Sequence, residues 1–405
     1  MTGHIVVIHR WRDGHARYAD YLDHSRYAVT YISTELALPG VPAEAAGTEV
    51  VSATDDVDAI CEATARLTSR FGPPARLIAL NEGDLDTAAE VRAHLGCPGQ
   101  DPEKLAPFRD KLVMAQRVAA AGLPTPSFAD APHPDAVLAF GDTHGWPVVV
   151  KPRRGTASRD VLYLDSPEGL SALTRLSPED RLVQTFCGDP IYHVDGLWTG
   201  TTLGPWRASR YLNTCVDFTT GLVLGSIEED DPDFCGPLGE FLTDIAAALS
   251  DEPWVFHIEV FAGTAGDGTP SFRFLEAGYR VGGAEIPFIW REVHGIDLMG
   301  AAFDVQMGRQ PILPAGKPGR VGGWLLVPTP VRPPCRVVAV DFPDWGEHGP
   351  YARVVPPVGY RIPRVGGYEH VGARFRFQAA SSADVEESIR DTASGFRLEC
   401  VPEAG

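Results

Sequence analysis

Long apolar runs are missing from this chain. No stretch approaches the roughly 18–20 apolar residues that a membrane-crossing helix needs, so no membrane partner is expected. The N-terminal run Ile5–Ile8 gives way to charge within a few residues and reads as a first β-strand, not a secretory leader. Basic blocks are missing too. Asp and Glu number 54 against 35 Lys and Arg, a net charge of −19, and nothing resembles a cationic track for a phosphate backbone. Nucleic acid is therefore not an expected partner, although a few local lysines suffice for a nucleotide. Cysteine is sparse: Cys61, Cys97, Cys187, Cys215, Cys235, Cys335 and Cys400 are scattered, odd in number and without CxxC spacing. They read as free thiols of a reducing, cytoplasmic setting, which excludes a disulfide framework and a zinc site. The histidines form no HExxH cluster, and no GxGxxG follows the first strand, so metalloprotease and dinucleotide readings lose their support. There is no internal repeat.

What is present is ordinary globular composition, 44% hydrophobic and 22% charged over 405 residues, enough for two or three domains. Residues 1 to about 100 alternate short β-rich runs (Ile5–Ile8, Val29–Ile32, Glu49–Val51, Leu77–Ala79) with helical stretches near 15–24, 56–70 and 84–95. That alternation predicts a small parallel α/β domain. Gly96, Pro98, Gly99 and Pro102 then break the pattern as a linker would.

In 108–121, Phe108, Leu112, Ala115 and Ala119 recur at helical spacing and predict one helix, stopped by Gly122 and Pro124. Lys111 sits in its first turn, where a cation opposes the macrodipole and fits better beside an anion. A second helix is expected near 133–143. The buried run Val148–Val150 ends at Lys151, and the small, basic loop 153–158 leads into a strand Val161–Leu164. Such a hairpin flap can fold over phosphates with its backbone N–H groups. Further strands are expected at Leu182–Phe186 and from Tyr192. The chain beyond 310 is rich in proline and reads as a smaller α+β lobe.

The most informative pair is Glu259 and Glu276, each flanked by apolar residues in strand-like runs, WVFHIEVF and SFRFLEA. Strand alternation makes these acids point into a covered site. Facing carboxylates repel, and a divalent cation between them removes the conflict. Taken alone, the pair reads more simply as strand acids with Glu276 neutralised by Arg280, four residues on.

The ordered series Lys111, Lys151, the 153–158 flap, the Gln184–Phe186 strand end, Glu259, Glu276 and Arg280 resembles the ATP-grasp superfamily. The carrying segments are FRDKLVMAQRVAAAGLPTP, WPVVVKPRRGTAS, LVQTF…YHVDG, FHIEVF and FLEAGYRVGGAEIP. Within that superfamily the chain is most similar to the amino acid ligases that join a carboxylate to an amine. The resemblance implies an N-terminal parallel α/β domain (1–107), a central ATP-grasp fold of two α+β subdomains (108–186 and 187–310) and a small C-terminal α+β lobe (311–405). It implies ATP and Mg²⁺, with Mn²⁺ as the alternative ion. Lys111, Lys151, Gly155, Thr156 and Ser158 would meet phosphates. Gln184, Thr185 and Phe186 would meet adenine, and His193 ribose or substrate. Glu259 and Glu276 would hold metal. Arg280, Gly282 and Gly283 would stand at the reacting carboxylate. Glu82 would reach an amine substrate, although a helix-start acid is the simpler reading.

Three positions depart from the superfamily pattern. Gln184 replaces a common Glu, Ile191 stands where an acid often precedes the Tyr-His-Val-Asp run, and Gly278 replaces an Asn near the second metal acid.

The expected reaction is formation of an acyl phosphate, captured by an amine to give an amide or dipeptide. A carrier-protein thiol as acceptor is the alternative, and a nucleotide-binding module without turnover is a third reading. The oligomeric state is open in the sequence; the resemblance allows a homodimer, since such ligases are often dimers.

Overall fold

The computed structural model describes residues 3–12, 14–155, 159–175, 179–317, 319–346, 348–364 and 371–403. The first unit contains β1 (His4–His9), α1 (Tyr18–Tyr21), β2 (Ala28–Thr34), β3 (Gly47–Val51), α2 (Val57–Phe71), β4 (Pro74–Ala79) and α3 (Leu85–Leu95). Its four strands form a parallel sheet in the order β3-β2-β1-β4. All of β1 is buried, as expected of a parallel strand covered on both faces. Asp56 caps α2 by accepting the Ala59 amide at 3.1 Å. Asp84 instead spends its carboxylate on Arg10.

The next elements are α4 (Pro102–Arg109), α5 (Lys111–Ala120), β5 (Phe128–Asp130), α6 (Pro134–His144), β6 (Val148–Pro152), β7 (Leu162–Leu164) and β8 (Arg181–Thr185). The strands form an antiparallel sheet, β5-β8-β6-β7. The single helix expected over 108–121 is in fact two. Asp110 takes an extended conformation between them (φ −97°, ψ 107°) and accepts the Leu112 and Val113 amides at 3.0 and 3.4 Å. Arg153 holds the same carboxylate at 2.6 and 3.0 Å. The break also changes the buried face of α5, which is Leu112, Met114 and Val118 and not Ala115 or Ala119.

The large sheet follows, with β9 (Ile191–Trp198), β10 (Leu203–Tyr211), α7 (Cys215–Thr219), β11 (Leu224–Glu228), α8 (Pro232–Leu249), β12 (Trp254–Thr264), β13 (Pro270–Gly278), α9 (Ile286–Glu292) and α10 (Leu298–Gln306). Last come β14 (Val321–Val327), β15 (Cys335–Asp341), β16 (Ala352–Val354), β17 (Arg361–Ile362), β18 (Ala373–Ala379), α11 (Ser382–Gly395) and β19 (Arg397–Pro402). Eight strands pair in the order β13-β12-β9-β10-β11-β14-β18-β16. The sheet therefore runs on across residue 310. Only β17-β15-β19 make a separate small sheet.

One core packs Phe108, Met114 and Leu242 onto Trp254, Phe256, Ile258 and Phe274. Another joins Ile5, Val7 and Tyr31 of the first sheet to Ile289, Trp290, Leu298 and Phe303 of α9 and α10. That second core fixes the N-terminal unit against the large sheet. Among the described residues no disulfide joins any of the seven cysteines. Among the described residues no helix is long and apolar enough to cross a membrane.

Candidate active site

Glu259 of β12 and Glu276 of β13 are direct partners in an antiparallel ladder, and a register irregularity follows Glu259 at once. His193 of β9 is the partner of Glu259 on the other side. Directly opposed residues share a face, so the acids sit side by side. They are not equally covered: the Glu259 side chain is 17% exposed and that of Glu276 36%. Tyr211 donates to Glu259 Oε1 at 3.1 Å, and His257 Nε2 lies 3.8 Å from the same oxygen. Burial raises the Glu259 pKa, but His257, His193 and Tyr211 outweigh it and hold the carboxyl below its usual range.

The two lysines come from the neighbouring unit. Lys111 opens α5, donates from Nζ to the Gly155 carbonyl at 3.1 Å and lies 3.6 Å from Glu276 Oε2. Its amide donates to the Arg153 carbonyl, so the base of the flap is tied to the start of α5. The first-turn cation is thus offset by the Asp110 cap and by Glu276. Lys151, in β6, is only 5% exposed. Among the described residues its ammonium has no hydrogen-bond or ion-pair partner. Burial pulls its pKa down to about 8, with Glu276 and Glu259 opposing and Lys111 assisting. A buried ammonium without a direct hydrogen-bonded counter-ion is costly, and a site that keeps one is suited to an anion.

Arg280 is clamped by the N-terminal unit. Its Nε and Nη2 reach Glu82 Oε2 at 2.8 and 2.7 Å, and Nη1 donates to the Val281 carbonyl at 3.1 Å. Arg109 Nη1 binds the other Glu82 oxygen at 2.6 Å. Burial would raise the Glu82 pKa, but Arg280, Arg109 and Lys111 bring it down to about 2. Glu82 itself raises that of Arg280. Glu82 is thus neither a simple helix-start acid nor a free acceptor for an amine; it positions a guanidinium across a domain boundary.

Behind this row stands a closed web. Asp195 binds His193 Nδ1 at 2.7 Å, His257 Nδ1 at 3.0 Å and the Gly282 amide at 3.0 Å. His193 Nε2 pairs with Ser226 at 2.7 Å. Burial lowers the His257 pKa, but the Asp195 carboxylate outweighs it and lifts it to about 9. Burial raises that of Asp195, and His257 and His193 more than reverse this. His193, Asp195 and His257 are close enough together to hold a metal ion. Their ligand atoms are already spent on one another, which makes the trio a support. Glu259 and Glu276, facing the lysines, keep carboxylate oxygens for a hard cation, the donor type that Mg²⁺ takes.

Several expected positions are corrected by these contacts. Both His193 ring nitrogens are used inside the web, so none is left for ribose. The Gly282 amide is used by Asp195, and a Cβ at residue 282 would collide with that carboxylate and with Ile286, which explains the glycine. Gly283 is exposed. The Thr185 and Phe186 amides donate to the Ser127 and Pro147 carbonyls at 2.9 and 3.3 Å, so a base would meet other atoms there. Gln184 is buried in mid-sheet, paired with Phe128 and Val149. Thr156 and Ser158 lie outside the described residues. Asp195, Ser226 and Arg109 carry parts of the site that the sequence reading did not single out. The alternation of His193 and Asp195 with His257 two residues before Glu259 was the available signal for the first.

No protein-family model matches the chain. It is 24% identical over 281 residues to an L-arginine-specific L-amino acid ligase of Bacillus subtilis, which covers 66% of this chain and 64% of that protein. The chain thus spans slightly less than two thirds of that relative. An L-amino acid ligase from Bacillus licheniformis superposes with a TM-score of 0.73 at 17% identity over 99% of both chains. The biotin carboxylase domain of Hydrogenobacter thermophilus 2-oxoglutarate carboxylase, a dimer in complex with MgADP, gives 0.69 at 13% identity, covering 99% of this chain and 92% of that one. The parallel N-terminal sheet, the four-stranded sheet bearing Lys151 and the large sheet bearing both acids together give this chain the ATP-grasp fold.

Proposed function

We propose that the protein is an ATP-dependent carboxylate–amine ligase. It would activate a carboxylate, that of an amino acid, as an acyl phosphate and join it to an amine, releasing ADP and phosphate. The observation that carries this reading is Lys151, a buried ammonium without a partner among the described residues, near Lys111 and two adjacent carboxylates. The similarity to an amino acid ligase supports the substrate class.

Each residue has a task in this reading. Lys111 and Lys151 bind the phosphates, and an anion at Lys151 favours its charged form. Glu259 and Glu276 would hold Mg²⁺, which when bound offsets the repulsion between the triphosphate and an attacking carboxylate. Tyr211 and His257 fix Glu259 in one rotamer and keep it ionised. Arg280, held by Glu82, faces the reacting carboxylate. With the Gly282 amide committed to Asp195, charge that develops on the carbonyl oxygen falls to Arg280 and Gly283.

ADP release tests the reading, with Mg²⁺, ATP and amino acids offered singly and in pairs. Release that needs two amino acids together is expected. Release driven by one acid alone, with no amide formed, would contradict the amine acceptor.

A further inference from the structure

A cavity of about 300 Å³ lies beside Tyr279, at the end of the strand that leads to Arg280. It is formed by the start of β4, the end of α3, the linker after it and the residues following α10. Arg76, Arg92, Lys104 and Arg309 line it against one acid, Glu252, in a protein of net charge −19. Two of these cations are matched: Lys104 by Glu252 at 2.6 Å and Arg309 by Asp304 at 2.9 Å.

Arg76 and Arg92 have no carboxylate partner among the described residues. Arg92 is 3% exposed and spends its donors on neutral oxygens, Leu77 O at 2.9 Å, Gln100 O at 3.2 Å and Gln306 Oε1 at 2.8 Å. Burial pulls its pKa down to about 10. Arg76 likewise meets only the Met307 and Ala75 carbonyls, at 3.1 and 3.2 Å. An acceptor is orphaned as well: Gln100 Oε1 is buried without a hydrogen-bond partner, while its amide nitrogen donates to Glu252 at 3.2 Å. The wall therefore offers two guanidinium groups short of an anion and one oxygen short of a donor. A phosphate dianion with a hydroxyl beside it supplies both.

We propose that this cavity, between Arg76 and Arg92 of the N-terminal unit and Tyr279 and Arg309 of the large-sheet unit, binds a phosphate group carrying or adjoining a hydroxyl. The site is separate from the lysines and acids of the candidate active site and does not rest on the proposed reaction. A ligand there adds to the contacts that already join the two units, the shared core and the Glu82–Arg280 pair among them, with Tyr279 one residue from Arg280.

Titration calorimetry on the full chain tests this, without nucleotide or Mg²⁺ and in a Lys111→Ala/Lys151→Ala background that removes both cations assigned to phosphate in the candidate active site. The probes are inorganic phosphate, glycerol 3-phosphate and sulfate. Saturable phosphate binding is expected, weaker for sulfate, which has no proton for Gln100. Arg76→Ala should weaken it about tenfold or more, the worth of a charge-assisted hydrogen bond. Arg309→Ala, at an exposed side chain and hence safe for folding, should weaken it less. Tighter binding of inorganic phosphate would mark the free ion as the ligand, and tighter binding of glycerol 3-phosphate a phosphate monoester. Absence of saturable binding in the double-lysine background would overturn the proposal. So would binding that neither arginine substitution changes.

Discussion

Asp195 accepts hydrogen bonds from two histidines and a backbone amide; the Lys151 ammonium has no partner among the described residues. Both are buried and both are ionisable, yet they are built on opposite principles. The Asp195 web is satisfied within itself, down to the Ser226 hydroxyl on the far His193 nitrogen. Its product is shape: it orients His257, which with Tyr211 fixes Glu259, and it pins the Gly282 turn after Arg280. The Lys151 group is left incomplete, with its charge facing Glu259, Glu276 and Lys111 at Coulomb distance only. A closed network supplies rigidity, and an open one supplies an unmet demand that a ligand fills.

The contrast is sharpest under substitution. Lys151→Met should lower ATP-dependent turnover by about 10²–10³, the typical cost of one electrostatic group at a reacting centre. The same change should leave thermal stability equal or higher, because it removes an unpaired buried charge. Kinetics and thermal unfolding of one preparation check both halves. Asp195→Asn should do the reverse to stability. It leaves protonated His257 without its counter-ion and should cost about 3–5 kcal/mol in urea unfolding. A smaller steric test of the web is Gly282→Ala, whose Cβ has no room beside Asp195 and Ile286. That change should cost about 1–3 kcal/mol, as overpacking does.

The smallest expected effect is a difference in sign with pH. The folded His257 pKa of about 9 lies above the ordinary 6.5, so its stabilisation is complete below pH 6.5 and is lost as pH rises through 9. The folded Lys151 pKa of about 8 lies below the ordinary 10.5. Its penalty is complete below pH 8 and fades as pH rises toward 10.5. Removing Lys151 removes that compensating gain. Urea midpoints of Lys151→Met should therefore fall more steeply above pH 8 than those of the unaltered protein.

Much of this arrangement was legible in the sequence because its parts are local anomalies. A lysine closing the all-apolar run Val148–Val150, and acids inside WVFHIEVF and SFRFLEA, stand out without any structure. The strands themselves follow from burial pattern and alternation. What stayed hidden depends on distant partners. The helical spacing of Phe108 to Ala119 continues through Asp110, and the residue that helps break it, Arg153, is 43 positions away. Glu82 resembles a helix-start acid until Arg280, 198 residues on, closes onto it. His193 looked available until the strand order brought Ser226 to its second nitrogen. The proline-rich stretch after 310 reads as a boundary, but β11 pairs with β14 across it.

The central claim is that Lys151 is unpaired because it awaits phosphate. Equilibrium binding of ADP, with and without Mg²⁺, to the unaltered protein and to Lys151→Met measures this directly. The account predicts binding strengthened by Mg²⁺ and weakened at least about tenfold by the substitution, in a variant that is no less stable. A variant that binds ADP as tightly as the unaltered protein would contradict it.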